Sequence, residues 1–85
     1  MVITLNGSAM TDRESIYAEL RAKMPLPEYF GNNLDALFDV LTETEGEIVL
    51  ENSEALTAAG GYGQMFLRVL NDAAKANPAL KVTIG

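Results

Sequence analysis

Three short runs rich in β-branched residues, separated by stretches with apolar residues at helical spacing, divide the chain. Val2-Ile3-Thr4-Leu5 predicts a strand that closes at Asn6-Gly7. Ile16, Tyr17, Leu20 and Met24 then form one helical stripe, opened by Thr11 and Glu14 in capping-box spacing and ended by Pro25. Leu34, Leu37, Val40 and Leu41 predict a second helix, from about Asn33 to Glu43. The acidic turn Glu43-Thr44-Glu45-Gly46-Glu47 leads into a buried strand, Ile48-Val49-Leu50. Asn52-Ser53 caps a brief helical piece, Glu54 to Ala58, and Gly60-Gly61 separates it from a final helix, about Tyr62 to Ala76. There Tyr62, Met65, Phe66, Val69, Leu70 and Ala73 face inward, Asn77-Pro78 stops the helix, and Leu80-Lys81-Val82-Thr83-Ile84 is the third strand. Strands alternating with helices predict an α/β fold: a small three-stranded parallel sheet packed with helices and joined by right-handed crossovers. No repeat, linker or low-complexity segment interrupts the chain, so residues 1–85 read as a single domain.

The second helix has two unlike faces. Asp35, Asp39, Thr42 and Glu43 lie opposite its apolar arc, and Phe38 sits at the border. Asp35 and Asp39 stand at i,i+4, where like charges destabilise a helix by about 0.2–0.5 kcal/mol. Such a stripe is ordinarily just a solvated face, but the preceding loop changes its weight. Pro25 and Pro27 stiffen that loop, Tyr29 and Phe30 follow in a turn closed by Gly31, and Asn32 or Asn33 is suited to cap the helix. With Asn32 as cap, Asp35 takes the third helical position and gains from the helix dipole. Aromatic and acidic groups held rigidly side by side are how a surface recognises something basic.

Composition narrows the chemistry. Eighty-five residues make one small domain, and with neither cysteine nor histidine the chain has no disulfide, thiol nucleophile, His/Cys metal site or Ser-His-Asp triad. The amino terminus lacks a signal-peptide pattern and no stretch nears the ~20 apolar residues of a membrane span, so a soluble cytoplasmic protein is the expectation. A formal charge of −6 opposes direct nucleic-acid binding and favours a cationic partner. Gly60-Gly61-Tyr62-Gly63 lacks the lysine and the preceding strand of a phosphate loop. Asp35 and Asp39 have no further oxygen ligands at recognisable spacing, and a stripe lining an exposed face lacks the buried environment of an acid/base pair. No catalytic residue, metal or cofactor is expected.

The run Leu26-Pro27-Glu28-Tyr29-Phe30-Gly31-Asn32-Asn33-Leu34-Asp35-Ala36-Leu37-Phe38-Asp39-Val40-Leu41-Thr42 closely resembles the signature of the barstar family, small intracellular inhibitors of secreted, barnase-type ribonucleases. The resemblance implies the same three-stranded parallel fold and a non-enzymatic role. Asp39 matches the central carboxylate that enters the enzyme's phosphate site, and Asp35 a second acid on that face. Tyr29 matches an aromatic packed against the enzyme. Phe30, Gly31, Asn33 and Leu34 match loop positions bordering the contact, and Thr42 a contact at the helix end. Asp72 falls where the family commonly has a glutamate reaching the partner, by an alignment without a gap-free motif. Phe38 stands in place of a tryptophan, Phe30 lacks the hydroxyl of the common second tyrosine, and Glu43 to Glu47 is more acidic than the family pattern. The implied partner is a basic ribonuclease of the barnase type, with no direct nucleic-acid or membrane contact and a monomer as the default state. The rival expectation keeps the fold and changes the target. It is a regulatory or immunity module that binds another basic protein or a ribonuclease toxin.

Overall fold

The computed structural model describes residues 1–58 and 60–85. Its elements in chain order are β1 (Val2–Asn6), α1 (Arg13–Lys23), α2 (Leu34–Leu41), β2 (Gly46–Glu51), α3 (Ser53–Ala58), α4 (Gly61–Ala76) and β3 (Leu80–Ile84). A single 3-10 turn, Gly7–Ala9, follows β1. The strands form one parallel sheet in the order β1-β2-β3, with Ile3 opposite Ile48, Leu5 opposite Leu50 and Ile48 opposite Val82. The α/β fold with a three-stranded parallel sheet is therefore as the hydrophobic pattern predicts.

Strand side chains alternate between faces. Ile3, Leu5, Ile48, Leu50 and Leu80 are buried, whereas Val2, Thr4 and Asn6 are exposed on the other side of β1. The helices gather on the buried side: α1 lies against β1, α4 against β3, and α2 packs on α4. Leu37 and Leu41 of α2 and Phe66 and Leu70 of α4 are fully buried there, joined by Ile16, Tyr17 and Leu20 of α1. That packing is what makes α2 stable, since an isolated eight-residue helix is marginal in water.

Local details depart from expectation in four places. Asp12, not Thr11, caps α1: its Oδ1 accepts the Ser15 N–H at 2.7 Å, and Ser15 Oγ accepts the Asp12 N–H at 3.0 Å. A carboxylate is the stronger acceptor, and the short serine reaches back more easily than Glu14. Gly46 and Glu47 belong to β2 rather than to the acidic turn, because the Glu47 N–H donates to the Met1 carbonyl at 2.9 Å. Asn33 alone caps α2. Met65 is 49% exposed, at the margin of the inward stripe of α4 rather than within it.

The cap predicts a pH dependence. The hydrogen bond from the Ser15 backbone, then the one involving its side chain, hold the Asp12 carboxyl below its ordinary value. A depressed folded-state pKa stabilises the fold fully above the unfolded value, about 3.9, and the contribution disappears as pH falls through the folded one. Urea midpoints of wild type and Asp12→Ala should differ at neutral pH and converge below about pH 4. A gap that stays constant down to acid pH would show that the carboxylate charge is not what caps the helix.

Gly63 supplies a second prediction. A Cβ there would lie 2.3 Å from the Leu56 carbonyl oxygen and 3.0 Å from its carbon. Alanine is normally preferred to glycine in a helix by about 1 kcal/mol. Here the clash is with backbone, so Gly63→Ala should destabilise by more than ~1 kcal/mol in urea denaturation. A stabilised variant would mean that α3 and α4 separate freely.

Candidate binding surface

The loop from Met24 to Asn33 carries the surface, and its shape follows from residue type. Met24 is extended before Pro25, as a residue preceding proline must be, and the Leu26 N–H returns to the Met24 carbonyl at 2.9 Å. The Phe30 N–H closes a turn onto the Pro27 carbonyl at 3.0 Å. Adjacent side chains then diverge. Tyr29 is 89% exposed, while Phe30 is only 6% exposed and packs against Tyr17 with ring centroids 6.0 Å apart. Phe30, expected at the border of the contact, is thus the buried anchor of the loop, with its edge on the groove beside Tyr29.

Asn32 takes a left-handed backbone conformation, φ 27°, which asparagine tolerates better than most residues. Asn33 then opens α2. Its Oδ1 accepts the Ala36 N–H at 2.7 Å and its Nδ2 donates to the Gly31 carbonyl at 2.6 Å. With this cap Asp35 is the second helical residue rather than the third, still within the first turn where the dipole favours a carboxylate. At the other end Asn77 Nδ2 donates to the carbonyls of Leu41 (3.0 Å) and Thr44 (2.8 Å), tying the end of α2 and the turn after it to the end of α4. Thr42 Oγ1 donates to the Asp39 carbonyl at 2.9 Å and Thr44 Oγ1 to the Val40 carbonyl at 2.8 Å.

Between loop and helix lies an open groove of about 490 Å³. Pro25, Pro27, Tyr29, Phe30 and Gly31 line it from the loop, and Ala36, Asp39, Val40, Glu43 and Thr44 from the helix and the turn after it. Both acids are exposed, and no lysine or arginine lines this groove. A neighbouring depression brings together Arg13, Asn33, Leu34, Asp35 and Tyr62. The expected site residues therefore divide: Tyr29, Phe30, Gly31 and Asp39 meet in the first groove, and Asn33, Leu34 and Asp35 line the second. Leu34 and Phe38 of α2 and Thr42, just after it, are half-buried. Asp72 is exposed in a shallow depression formed wholly by α4 residues, among them Arg68 and Lys75, and lines neither groove.

Sequence reasoning places Glu43 on the acidic face without assigning it a contact, and misses two further contributors, Arg13 and Arg21. Glu43 lines the groove with Asp39, one helical repeat beyond it, and that i,i+4 spacing was the available signal. Arg13 and Arg21 hold the loop from below. Arg13 Nη2 donates to the Asn32 carbonyl at 2.8 Å. Arg21 Nη2 donates to the Phe30 carbonyl at 2.8 Å and to Asn32 Oδ1 at 2.7 Å, and its Nε reaches that same oxygen at 3.1 Å. Arg21 also lies over the Phe30 ring at 5.4 Å, and Arg13 over the Tyr62 ring at 5.9 Å. Between them the Tyr17 and Tyr62 hydroxyls share a hydrogen bond of 2.5 Å. Burial, then that bond, push the Tyr17 hydroxyl above its ordinary range, so this tyrosine stays neutral.

Among the described residues, no group of three or more His, Cys, Asp or Glu side chains is placed to hold a metal ion, and no helix is long and apolar enough to cross a membrane. What the arrangement offers is a fixed acidic groove with one large aromatic beside it. Residues 1–84 match the family model described as Barstar (barnase inhibitor). The chain is also 35% identical over 75 residues to a Bacillus subtilis (strain 168) protein named "Putative ribonuclease inhibitor YrdF". That match covers 84% of this chain and 82% of the relative.

Proposed function

The chain belongs to the barstar family, and from that premise we propose that it inhibits a barnase-type ribonuclease by plugging a basic active site. The observation that carries this reading is the groove that sets Asp39 and Glu43 opposite Tyr29 on a proline-stiffened loop. A ribonuclease holds the phosphates of its substrate with cationic side chains. Carboxylates delivered on a rigid helix fill the same positions and present no bond to cleave. Asp39 is the central carboxylate, Asp35 a second contact from the same helix, and Tyr29 packs on the enzyme beside them. Leu34, Phe38 and Thr42 form the rim with the Gly31 and Asn33 backbone. Asp72 lies apart and engages only a partner that reaches across to α4. The net charge of −6 draws a basic enzyme toward this face before contact. No catalytic step is assigned to the inhibitor.

The test is an inhibition titration against a small panel of barnase-type ribonucleases. One equivalent of the protein should abolish RNA cleavage by at least one of them. Undiminished cleavage across the panel at micromolar inhibitor would overturn the assignment of a barnase-type target.

A further inference from the structure

Arg13, Tyr17 and Arg21 stand at i, i+4 and i+8, one stripe of α1 directed at the Phe30–Asn32 segment and Tyr62. From this geometry we propose that Arg13 and Arg21 are positioning residues, which hold Tyr29 and the α2 cap in docking geometry before the ribonuclease arrives. The inference rests on the inhibitory reading above and adds to it a cause for the loop's fixed shape.

Two arginines beside a surface meant for a cation are a puzzle, since like charges there oppose binding. The hydrogen bonds resolve it. Arg21 places three N–H···O contacts on the Phe30 carbonyl and the Asn32 side chain, and Arg13 places one on the Asn32 carbonyl. Asn32 therefore accepts from both arginines, through its side chain and its backbone, in the left-handed conformation that turns the chain into α2. Phe30, fixed between the Tyr17 ring and the Arg21 guanidinium, is the immediate neighbour of exposed Tyr29. Asn33, next to Asn32, is the cap that sets the start of the helix bearing Asp35 and Asp39. One clamp thus fixes the aromatic and the start of the acidic helix. A planar guanidinium fork does this; a lysine ammonium has the charge without the fork.

Charge and positioning separate kinetically. Rim charges act mainly on the association rate, whereas loss of preorganised contacts appears mainly in dissociation. Arg21→Lys keeps the charge and removes the fork. It should leave association and its salt dependence unchanged and speed dissociation from the inhibited ribonuclease about tenfold, as should Asn32→Ala. The double variant should be less than additive, because the Arg21–Asn32 contact is lost in both single variants. In the free protein, Arg21→Lys should accelerate amide hydrogen exchange within residues 28–33 while the core strands keep their protection. Dissociation within twofold of wild type would overturn the proposal, as would unchanged loop exchange. If wild type inhibits no ribonuclease, the inhibitory reading fails, and loop exchange alone still decides whether the clamp orders the loop. Exchange that rises throughout the molecule would assign Arg21 to general stability and refute the positioning role.

Discussion

Replacing Asp39 with alanine is expected to weaken the ribonuclease complex by at least ~2 kcal/mol, about a thirtyfold rise in Kd. That threshold for a central anchor draws in part on the barnase–barstar complex itself. Asp39 is the carboxylate that shares its groove with Tyr29, and its helix is fixed at both ends by asparagine side chains. Its position therefore needs little ordering on binding. Truncation does more than delete one contact, because it leaves the cationic side chains of the enzyme desolvated and unpaired in the complex. Asp39→Asn separates the two contributions, since it keeps the shape and removes the charge. Inhibition constants measured at one fixed ionic strength should rise for both variants. An unchanged constant for Asp39→Ala would move the docking centre away from this groove.

The second large effect lies in the core. Phe66→Ala should destabilise the protein by about 3–5 kcal/mol, the usual range for emptying a fully buried phenylalanine site. An 85-residue domain has roughly 4–13 kcal/mol in total, at about 0.05–0.15 kcal/mol per residue, so this one substitution removes a large share of it. Phe66 belongs to α4, the helix against which both β3 and α2 pack, so the void opens beneath the binding helix. Equilibrium urea denaturation measures the loss directly. A change under ~1 kcal/mol would mean that the surroundings collapse into the space and that α4 does not wall the core.

The fold was legible in the chain because each element buries a repeating apolar set. Leu34, Leu37, Val40 and Leu41 repeat at helical spacing, and in β3 alternation marks the strand. What remained illegible has specific causes. Overlapping boxes, Thr11 with Glu14 and Asp12 with Ser15, compete for one helix start, and their identical spacing hides which of them forms. Gly63 packs against a carbonyl through the absence of a side chain, which leaves no hydrophobic signal. The adjacent aromatics Tyr29 and Phe30 look alike in sequence and part company only when Tyr17 supplies a place for one of them. Arg13 and Arg21 read as ordinary exposed charges, because their acceptors, the Phe30 and Asn32 oxygens, come close only in the folded chain. The acidic stripe of α2 was legible by spacing alone. Its division between two grooves depends on the path of the loop beside it.

The parallel sheet has a kinetic consequence. Its central strand pairs with β1, from the beginning of the sequence, and with β3, from its end: Glu47 meets Val2 on one side and Lys81 on the other. No strand pair is a hairpin, so closing the sheet means closing two long loops, and non-local pairing of this kind slows folding. The acidic helix lies within the first of those loops, and the helix it leans on lies within the second. Affinity for a partner should therefore emerge late in refolding, together with the sheet. A peptide of residues 25–43 would carry most of the contact side chains but lack the framework that arranges them.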